Sequence, residues 1–173
     1  MTNPVALITG GARRIGATLA RALHQQGYNI VLHYRNSHAE ACALGDELNQ
    51  VRSNSCALAK ADLAKMAELG HLSQASLQHW GRLDVLINNA SSFYPTPVAE
   101  ATEQQWDDIM ASNLKAPFFL AQMLAPALQK SRGCIINMAD IYADKPLKQH
   151  SLYSIAKAAN VMLTKSLAQE LAP

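Results

Sequence analysis

Charge is scarce in this chain: 13 acidic and 15 basic side chains make up 16% of 173 residues, with a formal net charge of +2. So balanced a chain has no broad basic field to gather nucleic acid, and no nucleic-acid partner is expected. Long apolar runs are missing too. None reaches the ~18 residues of a membrane span, and the N-terminus enters a strand with no signal-type segment before it, so no membrane association is expected. The three cysteines, Cys42, Cys56 and Cys134, are odd in number and far apart. That excludes a disulfide framework, and their spacing suits no metal, so a reduced, cytoplasmic chain without a metal is expected. Internal repeats, low-complexity stretches and linkers are also absent. What remains is 49% hydrophobic, enough for one core, and a single domain over 1–173 is expected.

The apolar pattern alternates between short runs and helical spacing. Val5 to Ile8 reads as a strand, and the spacing of Ile15, Leu19, Ala20 and Leu23 as a helix stopped at Gly27. A second strand spans Tyr28 to His33, with a helix from Ala39 to Val51 and a short strand near Cys56–Leu58. A third helix ends near Trp80-Gly81, and a fourth strand covers Asp84 to Ile87. A helix opens at Thr102 with the capping-box pattern Thr102-x-x-Gln105. Two long helices, near Asn113–Gln129 and Ser151–Leu171, flank a short buried strand at Cys134–Met138. This alternation predicts an α/β, Rossmann-like doubly wound parallel sheet in three layers, αβα, with right-handed crossovers. Its site belongs at the carboxyl ends of the strands.

Chemistry-bearing residues fall at those ends. Gly10 to Gly16 turns a strand into a helix whose first N–H groups form an anion site, with Arg14 where the dinucleotide fingerprint has its middle glycine. After the second strand, His33-Tyr34-Arg35-Asn36-Ser37 contains no acid to bind a ribose 2′-hydroxyl. Arg35 and Ser37 suit a 2′-phosphate instead, which favours NADP over NAD; the plain alternative is a basic surface turn. Asp62 either meets an adenine or caps the next helix, capping being the safer reading. Asn88 to Pro97 brings small and amide residues to a strand end, followed by Phe93 and Tyr94, which either stack on a flat ring or pack beneath their loop. Tyr153 and Lys157 stand one helical turn apart, within loop reach of Asp140. A cation beside a phenol lowers its pKa and makes it a usable proton donor, although such a pair is also an ordinary solvated helix face.

Thr9-Gly10-x3-Arg14-x-Gly16, Asn88-Asn89-Ala90, Asn113 and Tyr153-x3-Lys157, in this order, resemble the short-chain dehydrogenase/reductase family along the whole chain. Within it, Arg14, the segment Asn89 to Pro97, Asp140 and the run His33 to Ser37 are most similar to pteridine reductases. The resemblance implies that Gly10, Arg14, Ile15 and Gly16 hold the pyrophosphate side of NADPH, and that Tyr34, Arg35, Asn36 and Ser37, in the segment begun by His33, surround its 2′-phosphate. Asp62 and Leu63 would meet the adenine, and Asn89, Ala90 and Ser91 the ribose and nicotinamide. Lys157 would bind the nicotinamide ribose, and Asn113 a water linking Lys157 to solvent. A pterin would lie against Phe93 with Arg14, Ser91, Asp140 and Tyr153 at its polar edge. The implied reaction is reduction of dihydropterins or dihydrofolate by hydride transfer, with proton delivery by Tyr153 and Asp140. Homo-oligomers, dimers or tetramers, built on the two long helices are implied as well. The family normally continues beyond Pro173 with further strands and a substrate-covering loop, so the expected sheet lacks its C-terminal strands and is left with an open edge. The rival expectations are a reductase of a ketone such as a 3-oxoacyl thioester, and a catalytically silent nucleotide-binding fragment.

Overall fold

The computed structural model describes residues 3–172; Met1, Thr2 and Pro173 lie outside them. Five strands, β1 (Val5–Ile8), β2 (Asn29–Tyr34), β3 (Cys56–Lys60), β4 (Val85–Asn88) and β5 (Cys134–Asn137), form one sheet in the order β3-β2-β1-β4-β5. Every pairing is parallel. Helices α1 (Arg14–Gln25), α2 (His38–Val51) and α3 (Met66–Gln78) link the first four strands. Between β4 and β5 runs α4 (Glu103–Met110), continued through a π-turn at Ala111–Lys115 into α5 (Ala116–Ser131). The last helix, α6, covers Ser151–Leu171, as its apolar spacing predicts.

Both faces of the sheet are covered, which is why β1 and the Ile30–Leu32 centre of β2 read as apolar runs. Val5 and Leu7 pack with Leu69 and Leu72 of α3 and Leu120 and Leu124 of α5. Ala6 and Ile8 point the other way, to Ala17 and Ala20 of α1 and Leu44 and Leu48 of α2. Thr102 caps α4 as its pattern predicts: Gln105 N donates to Thr102 Oγ1 at 3.2 Å and Thr102 N donates to Gln105 Oε1 at 2.9 Å. Asp62 does not cap α3. The N-cap is Lys65, and Asp62 closes the preceding turn by accepting Ala64 N–H at 3.1 Å.

The β5 strand is not buried as its apolar run suggests. Its residues alternate between exposed and half-buried, and Ile136 is 44% exposed. The cause is position: among the described residues β5 pairs only with β4, so its outer edge and outer side chains lack neighbours. A groove of about 960 Å³ runs beside it, lined by Leu128 of α5, Ile135 and Leu167 of α6.

The strand order reverses between β1 and β4, opening a crevice at their carboxyl ends. Side chains tie its rim together. Thr9 Oγ1 accepts the N–H groups of Asn89 and Ala90, each at 3.0 Å, and Asn89 Nδ2 returns bonds to the carbonyls of Thr9 and Gly10. Gly10 sits at φ 62°, where a Cβ would be 3.1 Å from Ala90 Cα. A Cβ on Gly16 would overlap the Gly10 carbonyl and lie 2.8 Å from Asn89 Nδ2. Buried His33 accepts Gly10 N–H at Nδ1 (3.0 Å), so its Nε2 carries the proton that meets Ala61 O at 3.1 Å.

That tautomer leaves no room for a second proton, and burial pushes the His33 pKa down to about 4. The group is neutral when folded and titrates near ~6.5 when unfolded. Its contribution is complete above ~6.5 and is lost as pH falls towards 4. Urea unfolding should therefore show stability falling by about 2 kcal/mol from pH 7 to pH 5. His33→Asn should lose most of that slope.

Candidate active site

The crevice holds a cavity of about 590 Å³ whose lining includes Gly10, Ile15 and Gly16 together with Ser91 and with Asn89 and Ala90, which pack directly against the glycine turn. No side chain caps the N-terminus of α1, so its first N–H groups face the cavity uncapped. Arg14 also lines it and has φ 49°, a left-handed conformation that glycine takes at no cost and arginine at about 1 kcal/mol. The chain thus keeps a guanidinium where backbone geometry asks for glycine. Strain retained beside a cavity points to function.

Of the segment after β2, only His33 and Arg35 reach the cavity wall. Tyr34 is buried, with its hydroxyl 2.8 Å from His38 Nδ1. Asn36 and Ser37 form the turn into α2, their carbonyls accepting His38 and Ala41 N–H at 3.0 Å. Arg35 projects between two carboxylates, 4.0 Å from Asp62 Oδ1 and 3.8 Å from Asp108 Oδ1. Asp62 and buried Leu63 line the same wall.

On the far side, Ser91 Oγ donates to Asn113 Oδ1 at 2.8 Å. Asn113 lies in the π-turn, a helix irregularity common at functional sites. Its Nδ2 donates to the carbonyls of Ser92 and Ile109 at 3.1 and 3.0 Å. Pro117 has no N–H for the Asn113 carbonyl one turn earlier. Asn160 Nδ2 of α6 donates to that carbonyl at 2.9 Å instead, fixing α6 to the turn.

Past β5, Asp140 meets the first turns of α6. Tyr153 Oη donates to Asp140 Oδ2 at 2.7 Å, and Lys157 Nζ donates to the Met138 carbonyl at 2.7 Å. Lys157 is buried and lies 5.6 Å from the Tyr153 ring centroid. The phenol pKa does not fall as a neighbouring cation predicts. Burial and the Asp140 carboxylate instead hold it well above the ordinary tyrosine range. Asp140 is the closer partner, and the lysine charge is spent on a carbonyl. Burial also lowers the Lys157 pKa, against the pull of Asp140. For Asp140, burial is outweighed by the hydrogen bonds from Tyr153 and the Tyr142 N–H and by Lys157, so its carboxyl stays below the usual range.

Phe93 is half exposed at the cavity mouth. It stacks on His150 at 4.7 Å and 18°, and meets the Tyr153 ring edge-on at 4.7 Å. Behind it, Thr96 N donates to Gln149 O at 2.6 Å, a bridge joining this loop to the one preceding α6. Tyr94 turns away: its hydroxyl donates to Asp108 Oδ2 at 3.0 Å.

Two residues were not foreseen. Asp108 lies on the turn of α4 just before the π-turn and lines the cavity opposite Arg35. Spacing gave no signal for it: Asp108 stands five residues before Asn113, a separation that a regular α-helix does not put on one face. His150 had no signal, since its stacking on Phe93 depends on the long loop between β5 and α6.

A doubly wound parallel sheet with a glycine turn feeding an uncapped helix at the switch point, and a Tyr–Asp–Lys cluster beside it, is an arrangement suited to a bound dinucleotide and a proton-transferring side chain. The short chain dehydrogenase family model matches residues 4–173, and the chain belongs to that family. Pteridine reductase 1 of Leishmania tarentolae is 39% identical over 99% of this chain and 72% of its own length. Hydroxynaphthalene reductase-like protein Arp2 of Metarhizium robertsii is 34% identical over 97% of this chain. A 3-oxoacyl-[acyl-carrier-protein] reductase FabG of Staphylococcus epidermidis is 34% identical over 98% of this chain. The chain spans 62% of the hydroxynaphthalene reductase-like protein and 70% of the FabG protein.

The electrostatics of the cluster can be read directly. Asp140→Asn should lower the Tyr153 ionisation only part of the way, because burial, the larger cause, still holds it above the ordinary tyrosine range. The ultraviolet difference titration of each chain against its Tyr153→Phe counterpart measures it, and an unchanged midpoint would show that Asp140 does not set this pKa.

Proposed function

We propose that this chain is the NADPH-binding, proton-delivering part of a pteridine reductase that reduces a C=N bond of a dihydropterin or dihydrofolate-type ring. The observation that carries the reading is the Tyr153–Asp140 hydrogen bond, 2.7 Å, set beside the exposed ring of Phe93. A ketone needs one proton at one oxygen, which a tyrosine alone can supply. A pterin offers several ring N–H donors and a basic nitrogen, and a carboxylate suits both because it accepts hydrogen bonds and relays protons. Phe93 provides a flat apolar surface for the ring and Arg14 a cation on the opposite wall.

The cavity fits a nicotinamide dinucleotide: its glycine cradle admits close backbone approach, and the α1 N-terminus and Arg35 offer donors to phosphate. When bound, NADPH supplies the hydride. Gly10, Arg14, Ile15 and Gly16 hold its pyrophosphate side in this reading, and Arg35 its 2′-phosphate. Tyr34, Asn36 and Ser37 support that phosphate site from the turn behind it, and His33 sets the height of the Gly10 turn. Asp62 and Leu63 receive the adenine, while Asn89, Ala90 and Ser91 form the nicotinamide side. Lys157 keeps ammonium protons free of Met138 for ribose hydroxyls. Tyr153 gives its proton to the ring nitrogen, and Lys157 stabilises the phenolate as it forms. Asp140, ionised, accepts ring N–H groups or relays a proton from water to Tyr153. Asn113 braces Ser91 and, through its turn, the α6 helix, and in this reading holds a water that links Lys157 to solvent. The exposed Phe118 of α5 and Ile155 and Met162 of α6 support assembly of copies through these helices. Reduction of a 3-oxoacyl-type ketone is the second reading, favoured by the FabG relative.

NADPH oxidation with dihydrobiopterin or dihydrofolate, run beside an acetoacetyl thioester, tests this. Turnover should occur on the pterin, with Tyr153→Phe slower by about 10²–10⁴-fold and Asp140→Asn impaired on the pterin. Turnover on the thioester alone would overturn the pterin reading. Full pterin reduction by Asp140→Asn would remove Asp140 from the mechanism. NADPH binding without turnover would reduce this chain to a nucleotide-binding fragment.

A further inference from the structure

Arg35 faces two carboxylates at the cavity wall. It projects from the end of β2 with half its side chain exposed, and one nitrogen, Nη1, lies within ion-pair reach of two carboxylates from different elements. Asp62 follows β3. Asp108 belongs to α4, across the cavity, and its carboxylate is fixed from behind by the Tyr94 hydroxyl on its other oxygen. The Tyr94 bond to Oδ2 leaves Oδ1 turned towards Arg35. An anion arriving at Arg35 therefore meets a guanidinium already compensated and two negative charges beside it.

We propose that Asp108 is the counter-anion of Arg35 that a cofactor's 2′-phosphate displaces, so that Asp108 limits the preference for NADPH over NADH. The proposal rests on the NADPH reading above. In the exchange the guanidinium turns from Asp108 Oδ1 to the phosphate, an exchange of one charge-assisted partner for another in which no bond is made or broken. Asp108 keeps its hydrogen bond from Tyr94. A nucleotide without the 2′-phosphate has nothing to offer Arg35 and leaves the pair intact, so its affinity does not depend on Asp108. Specificity set this way is a difference between two affinities, with a repulsive element on one side only.

NADPH and NADH titrations, followed by nucleotide fluorescence, on the unchanged chain, Asp108→Asn, Arg35→Ala and the double variant test this. Asparagine keeps an acceptor for Tyr94, and equal thermal midpoints verify the fold. Asp108→Asn should bind NADPH about two- to fivefold tighter, the range of an exposed ion pair, with NADH unchanged. The gain should shrink as salt is raised and vanish in the Arg35→Ala background. An unchanged or weaker NADPH affinity, an equal gain for NADH, or a gain that survives loss of Arg35 would each overturn the exchange while leaving the NADPH reading in place. No preference for NADPH in the unchanged chain would overturn that reading and the exchange with it.

Discussion

A parallel sheet ends abruptly. At the carboxyl edge the backbone ladder follows each strand only a residue or so into its turn, as in the bonds from Thr9 N to Ile87 O and from Gly11 N to His33 O. Beyond that, three side chains place the turns. Thr9 receives the two N–H groups that follow β4, Asn89 answers to the carbonyls that follow β1, and His33 joins the Gly10 turn to the segment after β3. Four strand ends are thereby held at fixed heights. The glycine turn can approach a ligand because Asn89 and Ala90 stand behind it, and its position relative to Tyr153 follows from the same bonds. Loss of any of these contacts would leave the strands paired and the site out of register.

The layered architecture was legible because burial on both faces writes itself into β1, the Ile30–Leu32 centre of β2 and Val85–Ile87 of β4 as apolar runs, and because α6 keeps its stripe for its whole length. The edge was less legible. Cys134 to Asn137 is as apolar as a central strand, and only the lack of a further neighbour makes it half exposed. At the site, strand ends brought Gly10, Arg35, Asp62, Asn89 and Asp140 to one crevice as spacing indicated. What spacing could not give was the partner each side chain chooses. Arg35 faces Asp108 from a helix distant in sequence. Lys157 turns to a carbonyl and leaves Tyr153 to Asp140. Those choices depend on side-chain direction within a packed space.

The Tyr–Asp contact changes what kind of proton donor the site contains. A phenol beside a free cation waits partly ionised. A phenol bonded to a carboxylate waits fully protonated, and its acidity rises only when that carboxylate takes another donor or a proton. Substrate N–H groups offered to Asp140 would do this, tying release of the Tyr153 proton to the presence of a ring that can receive it.

The bond between Thr96 and Gln149 joins the loop carrying Phe93 to the residues just ahead of α6, where the stack of Phe93 on His150 adds a second joint. Two joints remove relative rotation. The Phe93 ring and the first turn of α6 are thereby coupled, so a displacement of that ring is passed to the base of the helix that carries Tyr153.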